Sequence, residues 1–122
     1  MSRKILIVDD SQAVRETLKS TLQEAGYDVS DTPGGKSALE LVGESNYDLL
    51  MTGLDMPEMN GLDFISEVRK IPGRRFVPIV VLSSEEKQKW FVECVRAGAS
   101  GYLQKPLDKE QVLAILETVI PY

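Results

Sequence analysis

Apolar and polar positions follow two rhythms along the chain. Unbroken apolar runs at Ile5 to Val8, Leu49 to Met51 and Ile79 to Leu82 each stop at polar or turn-forming residues, as strands buried on both faces do. A weaker run, Asp28 to Thr32, and a short one, Gly101 to Gln104, complete five expected strands. Between them apolar residues recur every three or four positions. Val14, Leu18, Leu22 and Ala25 mark a first helix, with the Ser11 hydroxyl as N-cap and Gly26 as the glycine that ends it. Ala38, Leu39, Leu41 and Val42 mark a short second helix fading at Gly43, and Leu62, Phe64, Ile65 and Val68 a third, ended by Pro72-Gly73. Glu85 to Arg96, stopped by Gly98, is the fourth; Val112, Leu113, Leu116, Val119 and Ile120, behind Asp108, make the fifth. On the fourth helix Val92 and Val95 share a stripe expected to face the sheet, which places Trp90 at least partly in solvent and Phe91 on the border.

Five strands alternating with five helices in one βα rhythm imply an α/β, doubly wound, three-layer (βα)5 fold: a parallel five-stranded sheet, right-handed crossovers and helices on both faces. No linker, repeat or low-complexity run interrupts the rhythm, and 122 residues suit a single domain over 1–122.

Charge narrows the partners. Fourteen Lys and Arg against nineteen Asp and Glu leave a net charge of −5, which argues against nucleic acid and anionic membrane and in favour of a protein partner. The basic start, Ser2-Arg3-Lys4, runs into an apolar stretch too short for a signal sequence or a membrane span, so a cytoplasmic location is expected. The single cysteine, Cys94, has no internal disulfide partner, and the absence of histidine excludes histidine-based catalysis.

The conspicuous polar residues fall at the carboxyl ends of the strands: Asp9 and Asp10 after the first, Gly53 and Asp55 after the third, Ser83 after the fourth and Lys105 after the fifth. Open α/β sheets bind ligands at that edge. Clustered carboxylates suit a hard cation such as Mg²⁺, and the hydroxyl and lysine suit an anion beside it, although an Asp-Asp pair before a helix also serves as a dipole partner and a Ser-Ser pair as a cap.

Ile5 to Asp10, Asp48 to Gly61 with its Met56-Pro57 and Asn60-Gly61, Val80 to Ser83, and Ala97-Gly98-Ala99 through Lys105-Pro106 together resemble the bacterial response-regulator receiver domain, most of all stand-alone chemotaxis-type regulators. The resemblance covers nearly the whole chain. It implies a flavodoxin-like (CheY-like) sheet of order 2-1-3-4-5, a role in two-component phosphorelay signalling, and an output by protein binding rather than enzymatic turnover. It implies Asp9 and Asp10 as Mg²⁺ ligands, with Asp55 or a backbone carbonyl of Gly53 or Asp55 as further donors. Ser83 and Lys105 become the phosphate-contacting pair, Tyr102 the aromatic that changes rotamer, and the Lys105-Pro106 bond cis. The implied partners are a sensor histidine kinase or a downstream output protein, the chain being a monomer or weak dimer. Its output face would be the fourth helix, fifth strand and fifth helix, with Trp90, Phe91 and Tyr102 as candidate contacts.

The departure is at the phospho-acceptor. Counting back from Met56-Pro57, the family's aspartate position holds Gly53, which cannot form an acyl phosphate, and Asp55 lies two residues further along, displaced by several ångströms at roughly 3.3 Å per residue. The chain is therefore expected not to be phosphorylated, and to bind Mg²⁺ weakly if at all. A degenerate receiver and an ordinary one silenced by substitution both fit these residues. Two other classes compete. A small Mg²⁺-dependent phosphohydrolase using Asp9 would want an aspartate where Ser11 stands, and a flavin-binding protein would want a Ser/Thr/Gly-rich loop where Asp9-Asp10 stands.

Overall fold

A computed structural model describes residues 2–120, the side chains of Lys87 and Gln88 excepted; Met1, Pro121 and Tyr122 lie outside the described residues. The elements run β1 (Lys4–Val8), α1 (Gln12–Glu24), β2 (Asp28–Thr32), α2 (Gly35–Glu44), β3 (Leu49–Gly53), α3 (Gly61–Lys70), β4 (Ile79–Ser83), α4 (Lys87–Ala97), β5 (Gly101–Gln104) and α5 (Lys109–Val119). The strands form one parallel sheet in the order β2-β1-β3-β4-β5, the expected topology.

Side chains of each strand point alternately to the two faces. Leu6, Val8, Leu50, Ile79 and Val81 therefore pack with Phe64, Ile65 and Val68 of α3 and with Cys94 of α4. Ile5, Ile7, Leu49, Met51, Val80 and Leu82 pack on the other face with Leu18 and Leu22 of α1 and with Val112 and Leu116 of α5. Continuous apolar runs were the correct sign of strands buried on both sides. The ends of α1 also follow the expectation: the Ser11 hydroxyl accepts from the Val14 N–H at 3.3 Å, and Gly26 turns the chain at φ +97°. The Lys105-Pro106 peptide is cis.

α4 departs from the expectation in two ways. It begins at Lys87 rather than Glu85, because the Glu85 N–H is taken by the Ser83 hydroxyl at 3.0 Å and leaves the first turn non-helical. Its buried face is also the opposite one. Val92 and Val95 are 59% and 47% exposed, Cys94 is fully buried, and Trp90 and Phe91 pack against the core. Phe91 and Trp90 lie three and four residues before Cys94 and so share its face. Two aromatic rings remove more apolar area from water than two valines, at about 25 cal/mol per Å², and that difference sets the rotation of the helix. The Trp90 indole N–H is buried there and meets no acceptor among the described residues.

Among the described residues no helix is long and apolar enough to cross a membrane.

Candidate functional site at the strand tips

The register brings the strand ends level. Val8 pairs with Thr52, Gly53 with Leu82 and Ser83 with Gln104, so the residues after β1, β3, β4 and β5 emerge along one edge. Asp9, Gly53, Ser83 and Lys105 meet there.

Asp9 is the centre of the arrangement, with no exposed surface. Its Oδ1 accepts from the Ser11 N–H at 2.9 Å and its Oδ2 from the Lys105 ammonium at 2.9 Å. Its carbonyl accepts from Arg15 at 2.7 Å, and its N–H donates to the Thr32 carbonyl at 3.2 Å. A buried carboxylate is tolerated when it is paired and hydrogen-bonded, and Asp9 is both. Arg15, which the helical pattern alone does not mark as special, also pairs with Asp31 at 3.0 Å, and Lys19 reaches the same carboxylate. Only the sequence separation of four between Ser11 and Arg15 hints that the arginine faces the strand tips.

Gly53 closes β3 and is buried. A Cβ on this residue would stand 3.0 Å from Asp9 Oδ2 and 3.4 Å from Met56 Cγ, so the Asp9 carboxylate lies close against the space a side chain would use. The loop beyond is held tightly: the Gly61 N–H donates to the Leu54 carbonyl at 2.8 Å, and a Cβ on Gly61 would collide with the Gly53 carbonyl oxygen. Glycine at 61 is required by that approach. Asn60 caps α3, its side-chain oxygen accepting from the Asp63 N–H at 2.9 Å.

Asp10 and Asp55 both project into solvent. No group of three or more carboxylate or thiol side chains is placed to hold a metal among the described residues. Each Asp9 oxygen already accepts a hydrogen bond, so a Mg²⁺ ion held by Asp9 and Asp10 would have to contest Oδ2 with the Lys105 ammonium.

Ser83, Glu85 and Tyr102 form a connected chain. The Ser83 hydroxyl accepts from the Glu85 N–H, and the Glu85 carbonyl accepts from the Tyr102 hydroxyl at 2.7 Å. The Lys105 N–H donates to the Ser83 carbonyl at 2.7 Å, tying the same loop to the end of β5. The Tyr102 ring is turned inward and is 5% exposed. Burial raises its phenol above the ordinary tyrosine value; the Ser83 hydroxyl works the other way, and Cys94, Glu85 and Asp55 add to the rise. Of the candidate partner contacts, then, Tyr102 is enclosed and Trp90 and Phe91 are half-buried; none offers a free aromatic face.

Comparison with known proteins agrees with this geometry. The chain is 35% identical over 117 residues to the sensory/regulatory protein RpfC of Xanthomonas campestris, a match over 94% of this chain that spans only 16% of RpfC's length. It is 35% identical over 120 residues to the chemotaxis protein CheY of Thermotoga maritima, with 98% of each chain covered. The receiver domain of the sensor histidine kinase PA1611 from Pseudomonas aeruginosa, solved with a magnesium ion coordinated in its active site cleft, superposes with a TM-score of 0.91 at 26% identity over 100% of both chains. The family model of the response regulator receiver domain matches residues 5–117. The βα topology, the level strand tips and this match over most of its length place the chain in the response regulator receiver domain family.

Proposed function

We propose that this chain is a receiver that acts by docking to protein partners, a sensor histidine kinase or a downstream output protein, and carries no phosphoryl group itself. In this reading Gly53 occupies the phospho-acceptor position. The observation that supports it most is the placement of Lys105. With no side chain at residue 53, its ammonium pairs with Asp9, whose Oδ2 lies 3.0 Å from where a Cβ on Gly53 would be. Tyr102 is held inward through Glu85 with no phosphoryl group involved, so the α4 face has one fixed arrangement to offer. The most exposed apolar side chains on that face are Val92 and Val95, with Trp90 and Phe91 half-buried beside them. Mg²⁺ binding is weak in this reading, because the ion competes with Lys105 for Asp9.

A phosphohydrolase using Asp9 as nucleophile is disfavoured by the same geometry. Its carboxylate is fully buried and each oxygen already accepts a hydrogen bond, so an attacking oxygen would have to give up its partner or its enclosure to reach a phosphate.

The deciding experiment uses a small acyl-phosphate donor with Mg²⁺ and intact-mass measurement. The unmodified chain is expected to gain nothing. Gly53→Asp is expected to gain one phosphoryl group: a carboxylate oxygen attacks phosphorus, the donor's acyl-oxygen bond to phosphorus breaks, and the donor leaves as its carboxylate. Phosphorylation of the unmodified chain that disappears with Asp55→Ala would overturn the proposal in favour of a shifted acceptor.

A further inference from the structure

The α3–β4 loop, residues 71–78, lies at the edge of the sheet opposite the strand tips, and it presents Phe76 with 87% of its surface exposed. The loop is pinned from beneath. Arg69 donates to the carbonyls of Arg74 at 3.1 Å, Val77 at 2.6 Å and Gly98 at 2.5 Å. Arg74 donates to the carbonyls of Val42 at 2.8 Å and Ser45 at 3.1 Å, at the end of α2. Hydrogen bonds from charged donors are the stronger kind, so five of them fix the backbone on either side of an outward phenyl ring.

Beside Phe76 lies a hollow of about 480 Å³ lined by Tyr47, Arg74, Arg75 and Val77. Its rim is cationic. The Arg75 guanidinium sits 5.7 Å from the Phe76 ring centre and the Lys4 ammonium 5.3 Å from that of Tyr47. Arg15, Lys19, Lys36, Lys70, Lys89, Lys105 and Lys109 each pair with a carboxylate, whereas Lys4, Arg69, Arg74, Arg75 and Arg96 form no ion pair among the described residues. The lining of the hollow thus carries two arginines and no carboxylate, in a chain whose net charge is −5. Burial first, and the Glu44 and Asp28 carboxylates after it, raise the Tyr47 phenol, so the acidic groups of a ligand belong on the Arg74 and Arg75 side of the hollow rather than beside Tyr47.

We propose that this edge docks an acidic peptide segment of a partner protein, with one apolar side chain seated against Phe76 and Tyr47 and carboxylates on Arg74 and Arg75. A preformed hollow with an aromatic anchor and arginines matches the composition of binding hot spots, and pinning the loop removes the ordering cost of association. The net negative charge, and Phe76 as the one large exposed aromatic among the described residues, disfavour a membrane surface. The surface is separate from the strand tips and independent of phosphoryl chemistry.

The probe is a fluorescein-labelled peptide of Asp and Glu residues around a single Leu, followed by anisotropy and by amide chemical shifts of the full chain. Saturable binding is expected, with shifts centred on Tyr47 and on residues 73–77 and with weakening by added salt. Phe76→Ser and Arg75→Glu are each expected to weaken it by at least about tenfold, and Lys36→Glu, on the strand-tip edge, to leave it unchanged. Both surface variants keep the native circular dichroism. Absence of binding, equal binding by a peptide with Gly for Leu, or shifts centred elsewhere would overturn the proposal. So would preferential binding to phosphatidylserine-containing vesicles, which would identify a membrane surface. A concentration-dependent dimer abolished by Phe76→Ser would overturn it in favour of self-association.

Discussion

The Lys105 ammonium lies 2.9 Å from Asp9 Oδ2, an ion pair in which the carboxylate has no exposed surface and the lysine retains 24% of its side chain in solvent. Removing one member of such a pair strands the other in a medium that solvates it poorly.

Lys105→Met is therefore expected to lower stability without metal by on the order of 3 kcal/mol, near the lower end for a broken buried pair because the lysine is partly solvated. The same substitution frees an Asp9 oxygen. Mg²⁺ affinity measured by calorimetry is expected to rise by about tenfold or more, since the ion no longer competes with an ammonium. Unchanged affinity would mean that Lys105 does not contest the ion.

Substitution at Gly53 separates crowding from charge. Gly53→Ala places a Cβ 3.0 Å from Asp9 Oδ2, so the carboxylate must shift by a few tenths of an ångström, against a gain of about 0.4–1 kcal/mol from the loss of glycine's freedom in the unfolded chain. Gly53→Asp adds a second carboxylate beside Asp9 and is expected to be less stable than Gly53→Ala by on the order of 1 kcal/mol in metal-free urea denaturation. Saturating Mg²⁺ is expected to reverse that order, and Gly53→Asp to bind the ion more tightly than the unmodified chain. An Asp variant as stable as the Ala variant without metal would show that Lys105 neutralises both carboxylates.

The Tyr102 phenol titrates above its usual value because it is buried. The folded state therefore holds this proton more tightly than the unfolded chain, and the resulting stability is complete below the ordinary tyrosine range and lost as pH rises through the folded value. Tyr102→Phe is expected to cost about 1 kcal/mol at neutral pH through the lost hydrogen bond to Glu85, and to flatten the alkaline decline in stability. Tyrosinate absorbance titration of the two proteins checks it: the variant loses ionisation from the high end of the curve, and loss from the low end would show Tyr102 to be solvated.

The rotation of α4 has its own test. Trp90→Ala is expected to destabilise by about 1–3 kcal/mol, less than a fully buried tryptophan, whereas Val92→Ser and Val95→Ser stay within about 0.5 kcal/mol each. A larger cost for the valine changes in urea denaturation would reverse the assignment of faces.

Most of the fold was legible because strands buried on both sides leave unbroken apolar runs and because Gly26, Gly98 and Asp108 punctuate the helices where expected. The strand-tip cluster was legible for a topological reason: in a parallel sheet every strand ends at the same edge, so residues distant in sequence assemble without any knowledge of their contacts. α4 was misread because its stripe was phased on two valines, and periodicity alone does not weigh a tryptophan against them. The pinning of the α3–β4 loop left no pattern either. Arg74 reaches carbonyls 32 and 29 residues away, and backbone acceptors carry no residue identity to read.

The division of labour within each strand has a consequence for substitution. In β1 the four residues from Ile5 to Val8 serve the two cores alternately, and in β3 Leu49, Leu50 and Met51 do the same, while Asp9 and Gly53 of the strand-tip site stand where those runs end. A change at a tip leaves the interior packing intact, and a change in the interior leaves the tip in register. A tip residue can therefore change without repacking either core, and the stability such a change costs is set by the partners it leaves at the edge, as Lys105 and Asp9 are to one another.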